Sequence, residues 1–424
     1  MKLLSQVALI LVALAVGVVG GYGWKEIKQG HAPNLRSLPS AISGDSIAQA
    51  HKPYETFLHV MSSIDSNYYG SPDRQALLYA GVAGMMDSVK DPYTVFMEPE
   101  QADRFRETSA GAFVKSGGIG AELTPDPLGP RVRHVFKGGP AAEAGVLPDD
   151  VVVKVNGQNA AGKDVTDVVS KIRGEPGTTV QLTFFRASTN QTLSFVFTRR
   201  LAQIQDVYSS VLNTTYTHGK PKIGYIELRK FTATVAQQFD EEISSLKTAG
   251  VRGIIIDLRG NPGGLMQAAV ELSARFFENK LVTSMKPRVG ETESYFAPTG
   301  YADSVDVPVV LIVDGETASA AEIFAGALKD YKLATLVGEQ TFGKGAVQKT
   351  FPLKDGAQAK ITIGKYYLPM GESVDRVVDE TGEKISGGII PNTKVTRKPG
   401  SRIDLPEGDD QLKAAATALY SKIR

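Results

Sequence analysis

Gly253-Ile254-Ile255-Ile256-Asp257-Leu258-Arg259-Gly260-Asn261-Pro262-Gly263-Gly264-Leu265 reads as a buried strand, a glycine-rich turn and the opening of a helix. The run Gly253–Leu258 is apolar at nearly every position, as in a strand covered on both faces. A helical pattern follows over Leu265–Phe277. The same order recurs on either side. Upstream, Ile223–Leu228 is a strand and Val235–Leu246 an amphipathic helix stopped by Gly250. Downstream, Val307–Val313 is a second buried strand and Ala318–Leu328 the helix after it. Such alternation predicts an α/β core, an open sheet covered by helices. Strands return at Val347–Pro352 and Ala359–Leu368, and a helix over Asp410–Ile423 follows.

Outward from this core the pattern changes. Ser109–Arg200 is a glycine-punctuated block with strand candidates at Val132–Phe136, Val151–Val155, Val180–Phe185 and Thr192–Phe197, and short helices at Ala141–Gly145 and Lys163–Ile172. Tyr54–Arg106 shows two helical patterns, with a further short helix starting at Pro99. Residues 25–52 are polar and read as a tether. At the N-terminus, Lys2 precedes an apolar run from Val7 to Val19, the charged and apolar regions of an export signal. Cleavage near Ala15-Val16-Gly17 would fall inside that run, and an uncleaved Leu3–Trp24 is long enough to anchor the chain in a bilayer. A buried core helix is the bland alternative, disfavoured by the flanking Lys2 and Lys25. The chain has 424 residues, two to three domains at roughly 150 residues each. Lys plus Arg is 47 and Asp plus Glu is 46, a balance that argues against a nucleic-acid partner. Absence of cysteine excludes disulfides, thiol nucleophiles and thiolate metal sites, and the five scattered histidines make no metal pattern.

Three segments carry candidate chemistry. In Asp257–Gly264 the glycines let backbone N–H groups face a developing anion at a helix N-terminus, although a plain strand–helix turn has the same composition. In Gly315-Glu316-Thr317-Ala318-Ser319-Ala320-Ala321-Glu322, Ser319 falls at the start of a helix, where the N–H of Ala320 has no intrahelical partner. A serine there is either an N-cap or a nucleophile. Thr341-Phe342-Gly343-Lys344-Gly345 holds a lysine between glycines, with Gln348 four residues on. An exposed loop lysine is the bland reading. A desolvated lysine loses its charge and then takes the proton of a serine hydroxyl. With no cysteine and few histidines, Ser–Lys is the nucleophile–base pair this chain readily builds.

These three segments, in this order, resemble the carboxy-terminal processing peptidases, or tail-specific proteases, whose DLRxNxGG, SAxE and TFGKGxVQ motifs stand here as Asp257–Gly264, Ser319–Glu322 and Thr341–Gln348. The likeness runs over about residues 54–400. The Ser109–Arg200 block is similar to a PDZ domain, with Gly118-Ile119-Gly120-Ala121 in the place of a carboxylate-binding loop. The resemblance implies a multi-domain α+β protein: a β–β–α spiral α/β core with an inserted PDZ domain and a helical N-terminal region. The expected spans are a signal or anchor at 1–24, tether and helices at 25–108, the PDZ domain at 109–200, the serine peptidase domain at 201–400 and a C-terminal helix at 401–424. It implies Ser319 as nucleophile, Lys344 as base and Gln348 as the lysine's hydrogen-bond partner. The N–H groups of Gly264 and Ala320 form the oxyanion hole, and Gly118, Ile119 and Gly120 grip a substrate's C-terminal carboxylate. Asp314 and Glu316-Thr317 depart from the family pattern and bring acidic charge near the site. Arg173, at the end of the helix expected to line the peptide groove, is read either as a link to the catalytic domain or as a solvated arginine favouring the helix dipole. No cofactor or metal is expected. The partners are protein or peptide substrates with free, apolar C-termini, the membrane through the N-terminal segment, and an adaptor or homo-oligomer. The location is the bacterial periplasm or cell envelope. A non-catalytic PDZ scaffold, a hydrolase of small acyl substrates and a protease gated by a partner are the competing readings.

Overall fold

The computed structural model describes residues 44–111, 116–201, 203–212, 219–301, 304–378, 384–397 and 408–423. The expected signal or anchor at 1–24 lies outside them, as does most of the tether. The chain divides into two compact units, one ending at Gly81 and one beginning at Val82. The first holds α1 (Gly44–Asn67) and the start of α2 (Arg74–Asp87), which runs on past Gly81, with Arg74 paired to Asp65 at 2.9 Å. The polar run read as tether to residue 52 is therefore already helical from Gly44. Pro53, which lacks the N–H a helix interior uses, hid this start, yet α1 runs through it. Among the described residues no helix is long and apolar enough to cross a membrane.

The second unit opens with β1 (Val95–Met97) and α3 (Pro99–Ala110), Pro99 taking the first helical turn where its missing N–H is harmless. An antiparallel sheet follows, built from β2 (Ala121–Thr124), β3 (Arg131–Val135), β4 (Val151–Val155), β5 (Gln158–Asn159), β6 (Thr179–Arg186) and β7 (Gln191–Thr198), with short α4 (Pro140–Glu143) and α5 (Val165–Ile172). Its order is β2-β3-β4-β6-β7, so β2 is an edge strand. Val132, Val152, Leu182, Phe184 and Phe197 fill its core with Val168 and Ile172 of α5.

The third region is the expected open sheet. Its strands are β8 (Val207–Val211), β9 (Gly224–Leu228), β10 (Ile254–Asp257), β13 (Val309–Val313), β14 (Ala334–Gly338) and β17 (Thr393–Lys394), adjacent in that order. All neighbours are parallel except β8 and β9. On one face Ile254, Ile256, Val309 and Leu311 pack under α6 (Val235–Thr248), α7 (Met266–Ser273) and α8 (Ala320–Asp330). On the other, Ile255, Val310, Ile312 and Val337 meet α9 (Asp410–Tyr420) through Leu412, Ala415 and Leu419. Covering both faces is what made these strands uniformly apolar. A second sheet is centred on β16 (Gln358–Tyr367). It pairs along β15 (Ala346–Pro352) and, on its other side, with β1 and β11 (Leu281–Pro287), which pairs in turn with β12 (Glu293–Phe296).

Candidate active site

Four adjacent parallel strands deliver the site from their carboxyl ends, where open α/β sheets hold ligands. Lys230 follows β9, Gly263 and Gly264 follow β10, Ser319 follows β13, and the loop bearing Lys344 follows β14. Together with Gln348 and Thr350 of β15 and Lys360 of β16, they line one cavity of about 320 Å³. Phe105 and Ser109 of α3 complete its wall.

The turn after β10 is held from below. Asp257 and Arg259 are side chains buried to about one part in a hundred, paired with each other and, through Arg259, with Asp409 at 2.8 Å. These charged members of the motif are therefore structural, tying the turn to α9. Asn261 is fully buried. Its side chain donates to the Leu228 carbonyl and accepts from Gly263 N–H, and its carbonyl receives the Ala318 N–H. Gly263, at φ 94°, lies so close to the serine turn that a Cβ would stand 2.6 Å from the Ala318 carbonyl and 2.8 Å from Ala320 N. Gly264, at φ 145°, presses on the Phe231 carbonyl. Among the described residues the N–H groups of Gly264 and Ala320 meet no backbone acceptor.

Ser319 sits at φ 56°, ψ −120°. An N-cap serine lies in the extended region; this conformation costs a non-glycine residue about 1–3 kcal/mol and survives only where surrounding bonds impose it. Glu322 imposes it. Fully buried three residues on, its carboxylate accepts N–H bonds from Ser319 (2.8 Å), Gly343 (2.8 Å) and Lys344 (2.9 Å) and the Thr341 hydroxyl (2.5 Å). One carboxylate thus clamps the backbones of both expected catalytic residues. Burial pushes its carboxyl up, and those four donors pull it back. In the sequence nothing marks Glu322 beyond its place in the Ser319–Glu322 motif; its spacing from Ser319, that of a capping box, is the signal that finds it.

Lys344 is half-buried, and its ammonium is held below the ordinary lysine range, first by burial and then by Lys360; Asp91 and Glu322 act the other way. Its Nζ lies 4.5 Å from the centroid of the Tyr93 ring. Among the described residues no hydrogen bond joins the Ser319 hydroxyl to Lys344, and Gln348 Nε2 is buried without a partner. The three side chains share the cavity but are not linked within it. Asp314 carries its charge away from the cavity: it accepts N–H bonds from Gly260, Glu316 and Thr317 and so stabilises the turns around the site.

In the antiparallel sheet the loop before β2 is partly spent. Gly118 N–H donates to the Arg200 carbonyl at 2.9 Å, so it offers no donor to a carboxylate. The Ile119 side chain is 3 % exposed and belongs to the core, leaving only its backbone at the loop. The carbonyls of Ile119 and Gly120 receive Ala141 and Phe136 N–H groups, and among the described residues their own N–H groups meet no backbone acceptor. Arg173 ends α5, where burial lowers its pKa and the Glu107 carboxylate of α3 raises it.

A peptidase family S41 model matches residues 222–395, a PDZ domain model residues 131–186, and a model of the activating protease CtpB N-terminal domain residues 14–101. The carboxy-terminal processing protease CtpA of Bacillus subtilis is 33 % identical over 386 residues, 91 % of this chain and 76 % of that one. The chain belongs to the carboxy-terminal processing proteases. It is a serine-type peptidase carrying a PDZ domain. CtpB of the same organism is 31 % identical over 86 % of this chain and 74 % of its own. A putative S41 protease from Bacteroides fragilis shares the fold, with a TM-score of 0.51 at 17 % identity over 85 % of this chain and 96 % of its own. In this protease the parallel sheet with α6–α8 falls within the peptidase match, and β3–β6 make up the PDZ match.

Proposed function

We propose that this protease is an exported endopeptidase that engages protein C-termini through its PDZ domain and cleaves near them with a Ser319–Lys344 dyad. The observation that carries the reading is Ser319, strained at φ 56° and clamped by Glu322 beside a desolvated lysine. Neutral Lys344 takes the Ser319 proton as the hydroxyl attacks the scissile carbonyl. The oxyanion that forms accepts the N–H groups of Gly264 and Ala320, worth about 3–4 kcal/mol per donor. The lysine ammonium then protonates the leaving amine, and water, deprotonated in turn by Lys344, hydrolyses the acyl-enzyme. During the reaction Gln348 accepts from the lysine as a neutral partner, orienting it without restoring a full counter-charge.

Edge strand β2 and α5 flank a groove in which a peptide adds as a strand, its carboxylate at the N–H groups of Ile119 and Gly120. The relatives are bacterial enzymes, which supports a place in the cell envelope, with 1–24 as signal or inner-membrane anchor. The resting position of Lys344 over Tyr93 favours a gated enzyme, in which the lysine swings to Ser319 when substrate arrives. The test is a peptide library varied at its last three residues, incubated with the protein and with Ser319→Ala. Cleavage that depends on the C-terminus and vanishes in the variant supports the proposal; cleavage by Ser319→Ala overturns it.

A further inference from the structure

Among the described residues the cavity that holds Ser319 is lined by three lysines, Lys230, Lys344 and Lys360, and by no aspartate or glutamate. Lys344 is accounted for as the base. Lys230 and Lys360 are not, and among the described residues neither ammonium has a hydrogen-bonding or ion-pair partner. Lys360 only rests over the Phe105 ring, 5.4 Å from its centroid. Acids near them are already engaged. Asp91 accepts the Thr94 hydroxyl at 2.6 Å and the Tyr93 N–H, and Asp206, buried behind Lys230, accepts the Thr232 hydroxyl at 2.7 Å. Glu322 is filled by its four donors. Two half-buried cations in one apolar-walled cavity, with Leu265, Met266, Ile323 and Val347 around them, are costly unless an anion completes them. Burial accordingly lowers both from the ordinary lysine range.

We propose that Lys230 and Lys360 form a carboxylate-binding subsite beside the scissile bond, which selects substrates by an acidic group there. The inference rests on Ser319 being the nucleophile that places that bond. Lys230 follows β9 and Lys360 lies on β16, and both line the cavity that holds Ser319, so a carboxylate paired with them lies in the same cavity as the reacting carbonyl. Two groups supply that chemistry: an Asp or Glu side chain near the cleaved bond, or the α-carboxylate of a short tail beyond it.

The test maps the cleaved bond in one parent peptide by mass spectrometry. Glu and Gln are then placed in turn at the three positions on each side, with the C-terminus unchanged. A second series shortens the tail, as free acid or amide. At one position Glu should exceed Gln in kcat/KM by roughly tenfold, the scale of a charge-assisted contact. Lys230→Met and Lys360→Met should each bring that ratio towards one. If the tail is the source, the acid-over-amide advantage appears only for the short peptides and is lost in the same two variants. Affinities of the Glu and Gln peptides for Ser319→Ala give a readout free of turnover. Discrimination by that protein, with neither peptide cleaved by the wild type, would support the subsite and overturn the nucleophile. Cleavage with equal rates for Glu and Gln and for acid and amide overturns the subsite and leaves the protease reading standing. A ratio that persists in both lysine variants overturns it too.

Discussion

Ser319 combines a positive φ with a position in front of a helix, and its backbone N–H is held by the Glu322 carboxylate. Removing only the hydroxyl leaves that clamp intact. Ser319→Ala should lose cleavage by roughly 10³-fold or more while the melting temperature changes little; retained proteolysis would remove the assignment. For Lys344 the sign of the pH effect follows from its surroundings. Its charged form is disfavoured by burial and by the like charge of Lys360, so a neutral base exists at lower pH than for a free lysine. The value of kcat/KM should rise with pH through this lowered pKa and then level off. Lys360→Met removes one positive neighbour, raises the pKa of Lys344 and moves the rising limb to higher pH. An unmoved limb in that variant would show that the titrating group lies elsewhere. Lys344→Arg should be inactive at every pH, because arginine does not give up its proton.

At the scale of elements, the site exists because β9, β10, β13 and β14 end side by side. The segment after β9 does two things. Phe231 N–H donates to the Gly263 carbonyl, and the Phe231 carbonyl receives Leu265 N–H, so Phe231 braces the segment that carries Gly264, the proposed oxyanion donor. Gly264→Ala tests that brace. A Cβ there overlaps the Phe231 carbonyl, and φ 145° is closed to alanine, so the strand must shift. Turnover should fall by about 10²–10³ through the displaced N–H, the loss seen when one oxyanion donor is removed. Full activity in a folded Gly264→Ala protein would move the oxyanion hole elsewhere. Most of these elements were legible as apolar runs between glycines: β10, β13, α6 and α8 lie within two residues of where their patterns put them. The strand β14, Ala-Thr-Leu-Val-Gly, was not, because Ala, Thr and Gly leave it only two strongly apolar residues, Leu336 and Val337, and yet it leads into the loop that bears Lys344.

Across the whole catalytic unit, charge joins the PDZ domain to the parallel sheet. Glu122 on the edge strand β2 pairs with Arg229 at 2.7 Å, next to Lys230, and Glu227 faces Arg133 and His134 at 3.5 and 3.6 Å. Arg173, at the other side of the PDZ groove, lies in the field of Glu107, on the helix whose Phe105 and Ser109 wall the catalytic cavity. Arg173→Ala should therefore lower turnover of PDZ-engaging substrates without weakening their binding; unchanged turnover would make it a helix-dipole residue alone. Amidating a substrate's C-terminus should slow its cleavage, since the N–H groups of Ile119 and Gly120 then lose their anion, and equal rates for acid and amide would exclude C-terminal recognition. By itself the sequence determined the class of the core and most of its strands and helices, and it singled out Ser319, Lys344 and Gln348 as candidates, because periodicity, glycine turns and motif spacing are local properties. Only the tertiary structure decided that Glu322 clamps the backbones of both Ser319 and Lys344, that Asp314 is spent on turns, and that three lysines line one cavity with no acid among the described residues there. Those facts depend on pairings such as Ile254 with Val309 and Val309 with Ala334, between residues far apart in the chain, and local pattern does not encode which strands become neighbours.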